Sequence, residues 1–421
     1  MRRYHVLCTL AFAATTLPAF AMNLPQWSVT FDANALAPNG HSVDIAGGAI
    51  VNVSTRSVAL TQDGEHRWTY DACPGCGPND PGTRTLASTI LADGSGWLLT
   101  QTGSTYTVVR VAPDGTPQFS TDVLTNPPLR TQFSLVADAN RAIAIGASGG
   151  AAAWVRVSSA GAVLESRTHA LADTRERSDA RQTKVFADGS VGLSIEQTTP
   201  VGCQVSPPVN CFLPRTTVLR FEADGTERWR ADLGEFRPAR VVAFEDDGTS
   251  IVITTPTDAD MSVATIAPDG TPGAAVTVSD SVGAYATHAS GPVNGRYLIQ
   301  TSPSSVSTLR LLDRTGATLQ TLPVDFLGYG MPIASGAYGF IVAAETNDGT
   351  LLAPDTLAPV AYFDIDGESN VSFTFPESVW RMLPDGGVYH FTTDDRARLS
   401  RFAVPGSPAD DRIFRDGFER F

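Results

Sequence analysis

Short apolar stretches separated by turn residues run along almost the whole chain, and they alternate in the way strands do. Segments 106–111, 218–221 and 250–255 are rich in Val, Ile, Phe and Thr, with apolar side chains at every second position or in brief continuous runs. No stretch combines a 3.6-residue apolar period with helix caps. The pattern therefore predicts an all-β protein of many short strands.

Two turn signals alternate through this pattern. The first precedes an apolar strand at Gly47-Gly48, Asp93-Gly94, Ala139-Asn140, Asp188-Gly189, Asp247-Gly248, Asn294-Gly295, Ser335-Gly336 and Asp385-Gly386. Seven steps separate Gly48 from Gly386, about 48 residues each, a period typical of a four-stranded propeller blade. The second signal follows at Asp63-Gly64, Asp114-Gly115, Ala160-Gly161, Asp224-Gly225, Asp269-Gly270, Thr315-Gly316, Asp366-Gly367 and Pro405-Gly406. Glycine takes positive φ at no steric cost and aspartate caps its own turn, so both signals suit tight hairpins.

Four residues before each second glycine stands an apolar residue: Leu60, Val111, Val157, Phe221, Ile266, Leu312, Phe363 and Phe402. Each unit thus reads as strand a, turn, strand b, loop, strand c, Asp-Gly turn, strand d. In the first, second and fourth units an aromatic (Trp68, Phe119, Trp229) lies four residues after the glycine, where strand d begins.

The last unit stops after its third strand, while the chain starts with Gln26-Trp27-Ser28-Val29-Thr30-Phe31, which looks like a Trp-headed strand d. If that segment completes the last unit, the ring closes without a free edge. The expectation is an eight-bladed β-propeller over residues 22–406, closed by its N-terminal strand. A seven-bladed ring is the alternative, with the region 335–366 the weakest unit.

The remaining ends have their own signatures. Met1-Arg2-Arg3, an apolar run over 6–17 and Ala19-Phe20-Ala21 read as a secretory signal peptide over 1–21, so the mature protein is expected outside the cytoplasm. No later segment has the roughly 18 apolar residues of a membrane-spanning helix. Residues 407–421 read as a polar linker and a C-terminal tail.

Composition narrows the function. Thirty Lys and Arg face 44 Asp and Glu, a formal charge of −14, which disfavours nucleic acid and anionic membranes because phosphate contacts need a basic face. Lys184 is the single lysine and lacks the surroundings of a phosphate-binding loop or a Ser-Lys pair. Lysine-based covalent chemistry is not expected.

Four cysteines follow the leader: Cys73, Cys76, Cys203 and Cys211. Two local disulfides, Cys73–Cys76 and Cys203–Cys211, are the expectation for an exported chain. Four cysteines also allow other pairings or a zinc site, while a thiol redox motif would want a βαβ context that is missing.

Other candidates weigh less. Gly146-Ala147-Ser148-Gly149-Gly150 fits GxSxG, but between two strands it reads as a hairpin tip rather than a nucleophile on a strand-to-helix turn. Asp364-Ile365-Asp366-Gly367-Glu368 has the oxygen-rich look of a calcium loop without its remaining ligands. The mature histidines His41, His66, His169, His288 and His390 lack metal-ligand spacing. Arg110, Arg156, Arg220 and Arg401 recur five residues before the second glycine; packed stems and paired heads between strands are expected, against the alternative of a cationic ring for an acidic ligand.

The run Val218-Leu219-Arg220-Phe221-Glu222-Ala223-Asp224-Gly225-Thr226-Glu227-Arg228-Trp229 resembles the repeats of quinoprotein-type (PQQ-like) propellers and related secreted propeller proteins. The resemblance spans nearly the whole mature chain and implies an eight-bladed ring. Quinoprotein dehydrogenases bring an adjacent cysteine pair to the quinone; this chain has none, so no cofactor is carried over. Ile413-Phe414-Arg415-Asp416-Gly417-Phe418-Glu419 resembles a terminal tag of exported proteobacterial proteins.

Strand direction places the a–b and c–d turns on one face and the b–c and d–a connections on the other. The second face gathers the long connections, 70–86, 166–181, 198–215 and 346–359. Loops on a rigid scaffold are where binding residues gather, so this face is expected to carry a binding or scaffold function toward an extracellular protein or polysaccharide, in a monomer, with no metal. The alternative is a hydrolase or lyase acting on an extracellular polymer at the channel mouth.

Overall fold

A computed structural model describes residues 22–23, 25–31, 41–45, 48–53, 55–76, 83–125, 132–148, 150–171, 177–198, 200–201, 211–212, 215–233, 240–254, 260–278, 281, 286–301, 307–324, 333–343, 349–363, 379–392 and 397–410. The stretch read as a leader (1–21) and the one read as a tail motif (413–419) lie outside them. Eight antiparallel sheets follow one another: blade 1 over 41–71, blade 2 over 83–125, blade 3 over 132–170, blade 4 over 177–232, blade 5 over 240–277, blade 6 over 286–324, blade 7 over 333–363 and blade 8 over 379–403. The ring has eight blades and not seven.

Within a blade the four strands pair in sequence order, and strand a of most blades lies against strand a of the next. That arrangement puts the a strands round the axis and the d strands at the rim. Strands b and c are covered on both faces by neighbouring blades, which is why they read as continuous apolar runs. Gly48–Val53 is buried at every position. At the rim one face meets water, and Glu227–Asp232 alternates between half-buried and exposed.

The closing strand is found where the sequence places it. Trp27–Thr30 pairs antiparallel with Arg398–Ala403, Trp27 opposite Arg401 and Thr30 opposite Arg398. One feature had no sequence signal: Met22–Asn23 adds a fifth, parallel strand to blade 7, with Met22 opposite Tyr362. The N-terminal segment therefore straddles two blades. Ser407 and Ala409, at the start of the stretch read as a linker, are buried, and Ala409 donates its N–H to Asp385 O at 3.0 Å.

The c–d turn of blade 7 departs from the expectation. Asp366-Gly367 does not close this hairpin; it falls beyond strand d, outside the described residues, as does the rest of the calcium-like segment. The turn is instead 353–358, between Gly349–Leu352 and Pro359–Phe363, so the connection expected over 346–359 contains strand c. Leu357 takes the left-handed conformation (φ 52°) that glycine takes elsewhere, and its side chain is buried. Burial of a leucine contributes about 2 kcal/mol, enough to offset the 1–2 kcal/mol or so of left-handed backbone. Phe363, one of the eight apolar markers, belongs to strand d; the other seven end a strand c and are buried.

The seams between blades reuse one device. A rim aromatic of one blade lies on the c–d glycine of the next: Trp27 on Gly64, Trp68 on Gly115, Phe119 on Gly161 and Trp229 on Gly270. A β-carbon at Gly64 would stand 2.6 Å from the Trp27 ring, so nothing larger than glycine fits without a shift. Two of these rings also donate to the turn they cover, Trp27 Nε1 to Gln62 O at 3.1 Å and Trp229 Nε1 to Pro268 O at 2.8 Å. In blade 3 the equivalent position is Glu165, and Trp154 from strand c takes the seat over Gly225.

Candidate binding surface

The turn face is built from local chemistry. Asp114, Asp224 and Asp269 each accept the N–H two residues on, at 2.9 Å. These bonds hold the three carboxyls below the usual aspartate range. The same carboxylate cap recurs at Asp93, Asp188, Asp247 and Asp385 in the a–b turns. Its residues are consumed in holding the hairpins.

The recurrent arginines also serve the scaffold. Arg110 lies 4.8 Å from the Trp97 ring centre, Arg220 lies 3.2 Å from that of Phe186, and Arg401 lies 5.8 Å from that of Tyr389. All three are buried. Burial pulls Arg220 down to about 10, and its Nε donates to Ser190 Oγ at 3.0 Å. Arg156 donates to Ala223 O of the next blade at 3.0 Å and pairs with Glu165. They face rings, carboxylates and turns instead of forming a cationic ring round the axis.

Two of the histidines, His390 and His169, are structural as well. His390 is fully buried beneath Trp380, the ring centres 4.4 Å apart, and burial drives its pKa down to about 3, with Arg398 adding to the effect. His169 binds Gly225 O at 2.9 Å and packs on Phe221. His66 is exposed beside Thr69. His41 and His288 sit on a strands, their side chains outside the description. Ser148 of the GxSxG run ends strand b of blade 3, opposite Ala151 across a hairpin tip.

At the axis, the a strands of blades 8 and 1 bring Arg381 near Asp44. Asp44 Oδ2 accepts the Ile90 N–H of blade 2 at 2.6 Å, and Arg381 donates to its neighbour's carbonyl, Trp380 O, at 3.0 Å. Loss of water raises the Asp44 carboxyl despite that bond and lowers the Arg381 guanidinium. Asp44 is half-buried, while Arg381 stays exposed to solvent. Among the described residues no group of three or more His, Cys, Asp or Glu is arranged to hold a metal ion, and no helix is long and apolar enough to cross a membrane.

The opposite face carries the long connections. Between strands b and c of blade 4, Pro200–Val201 pairs with Cys211–Phe212 as a small extra hairpin. Cys203 and the side chain of Cys211 lie outside the described residues. Cys73 and Cys76 are joined as a disulfide at the exit of blade 1, which the CxxC spacing made legible. The Asp44–Arg381 pair was not legible, because the two residues are 337 positions apart and meet only once the ring closes.

No protein family model matches the chain, and no curated protein matches it in sequence. Solved structures match its fold. BamB from Moraxella catarrhalis aligns at a TM-score of 0.50 with 11% identity, over 90% of this chain and 97% of that one. Sqt1 from Saccharomyces cerevisiae aligns at 0.56 with 10% identity, over 89% and 99%. A quinohemoprotein alcohol dehydrogenase from Pseudomonas putida HK5 aligns at 0.55 with 9% identity, over 92% and 76%. The quinoprotein-type resemblance is therefore one of fold, which hosts many functions.

Proposed function

We propose that this chain is a secreted or cell-surface propeller that binds an extracellular protein or polysaccharide through its long-connection face. The observation that carries the reading is the asymmetry of the ring. On the turn face the aspartates, glycines and rim aromatics are occupied with hairpins and seams. The long connections all leave from the other face, where strand pairing does not constrain their sequence. A rigid ring beneath them supports recognition, because loops held at fixed ends give up less freedom on binding.

The experiment is a loop exchange. Residues 200–212 are replaced by a two-residue Asn-Gly link, and both proteins are screened against polysaccharide arrays and immobilised envelope proteins. The expected outcome is an unchanged unfolding midpoint together with loss, by at least about tenfold, of any binding the unaltered protein shows. A partner retained equally by both proteins, and by equivalents shortened at 72–82 and 171–176, would place recognition elsewhere.

A further inference from the structure

The Cys73–Cys76 bond joins residues only 3 positions apart, and the turn that carries it has hydrogen bonds of its own. Cys73 N–H donates to Asp71 Oδ1 at 3.0 Å, Cys76 N–H donates to Cys73 O at 3.0 Å, and Ala72 N–H donates to Thr55 O at 2.8 Å. These bonds brace the turn in which the disulfide joins the two α-carbons at 5.4 Å. A crosslink stabilises mainly by restricting the unfolded chain, and this effect is least for the shortest loops. Blades 1 and 2 on either side are complete four-stranded sheets without it.

The bond is also reachable. Both cysteines are half-exposed, Pro74 and Gly75 between them are exposed, and a β-carbon at Gly75 (φ 104°) would meet nothing within 4 Å. A disulfide that closes so short a loop and that solvent can reach is suited to exchange rather than to stapling.

We infer that Cys73–Cys76 is a redox-responsive pair that accepts electrons from a dithiol and so alters the blade 1 to blade 2 connection. This rests on the proposed function only in that the connection lies on the long-connection face; the redox step stands without it. One thiolate of the dithiol attacks one sulfur of the pair, forming a mixed disulfide and expelling the other cysteine as a thiolate, which takes a proton. The second thiolate of the dithiol then displaces the attacked cysteine. Two electrons pass to the protein, which ends with two thiols, and the dithiol ends as a disulfide.

Among the described residues 73–76 form a turn and no helix, so no helix dipole from them stabilises a thiolate. The pair is placed to accept electrons because it is oxidised and solvent can reach it, not because a thiolate is stabilised there. Its reduction releases the 5.4 Å tether and leaves the turn to its hydrogen bonds.

The test uses the unaltered protein under native conditions with dithiothreitol as the dithiol, alkylation of freed thiols, and peptide mapping that reads Cys73 and Cys76 separately from Cys203 and Cys211. A synthetic peptide of residues 70–77, oxidised, is the reference. The expected result is reduction within about tenfold of the peptide's rate. A bond opened only through global unfolding would instead be slower by about 10³-fold or more. The thermal midpoint should move by less than about 2 °C on reduction. Strong protection, or a midpoint that falls by much more, would make the bond a structural staple and overturn the inference. If the pair is reduced as expected but partner binding is the same in both redox states, the exchange site stands and its link to recognition fails.

Discussion

The seams entering blades 1 and 2 and the seams flanking blade 7 solve one packing problem in different ways. At the first two, an aromatic residue from the previous rim packs on a c–d glycine, Trp27 through its ring on Gly64 and Trp68 through its Cβ on Gly115. At blade 7 neither partner is present. Its c–d turn carries Leu357 in place of glycine, and Arg296 of blade 6 reaches across to Pro354 O at 3.3 Å and to Asp355. On its other side Trp380 of blade 8 packs over Gly349 in strand c, and Met22–Asn23 extends the sheet outward. A repeated contact can be written into every unit by two residues a few positions apart. An exceptional seam has to be assembled from distant parts of the chain.

The strongest way to break this comparison is to remove the strand that closes the ring. Deleting residues 22–31 takes the fourth strand from blade 8, the fifth from blade 7 and the ring from Gly64, and the expected outcome is loss of a single cooperative unfolding transition. Trp27→Ala alone should cost about 3 kcal/mol in urea unfolding. An unchanged midpoint for that variant would mean that the aromatic-on-glycine contact does not hold the seam.

A second measurement sharpens the contrast through pH. His390 supports Trp380 at the blade 7 to blade 8 seam and is held neutral, its pKa lowered from 6.5 to about 3. Between those values the unfolded chain binds the proton and the folded chain does not. Its contribution is therefore complete above pH 6.5 and is lost as pH falls toward 3, amounting to a few kcal/mol at the acid end. The turn aspartates, also lowered, lose stability only nearer pH 4 and below. His390→Gln should flatten the stability profile between pH 6.5 and 5; an unaltered slope in that window would assign it to other groups.

Smaller effects separate the glycines. Gly64→Ala faces both the positive φ of 82° and the Trp27 ring, whereas Gly406→Ala faces a φ of 74° with nothing within 4 Å. The expected costs are about 3 kcal/mol for the first and about 1 kcal/mol for the second, read from denaturation midpoints. Equal costs would show that backbone conformation alone matters. The smallest change is Arg296→Met, where a half-exposed ion pair and one carbonyl bond are worth less than about 1 kcal/mol. A larger loss would mean that the blade 7 seam depends on this cation.

The limits of sequence reading follow the same division. Asp114-Gly115, Asp224-Gly225 and Asp269-Gly270 were legible because a carboxylate bonded two residues on and a glycine at positive φ are local requirements. Asp366-Gly367 has the same local form but closes no hairpin of blade 7, since strand pairing chose 353–358 and a buried leucine met the cost of its turn. The aromatic at the head of strand d was visible in three units; that each one covers a glycine of the following blade was not. Of the candidate surface, the CxxC bond could be read from spacing, while the approach of Arg381 to Asp44 could not.

By itself, then, the order of residues determined the all-β character, the eight units, their hairpins except the c–d turn of blade 7, and the completion of the last sheet by the first strand. These depend on interactions within a few positions, or on a missing strand at one end matched by a spare one at the other. The tertiary structure decided which ring covers which glycine, how blade 7 is joined to its neighbours and which charges meet at the axis. Those outcomes depend on bringing distant segments together, and the free energy of such contacts is fixed by shape and by exclusion of water that no short stretch of sequence encodes.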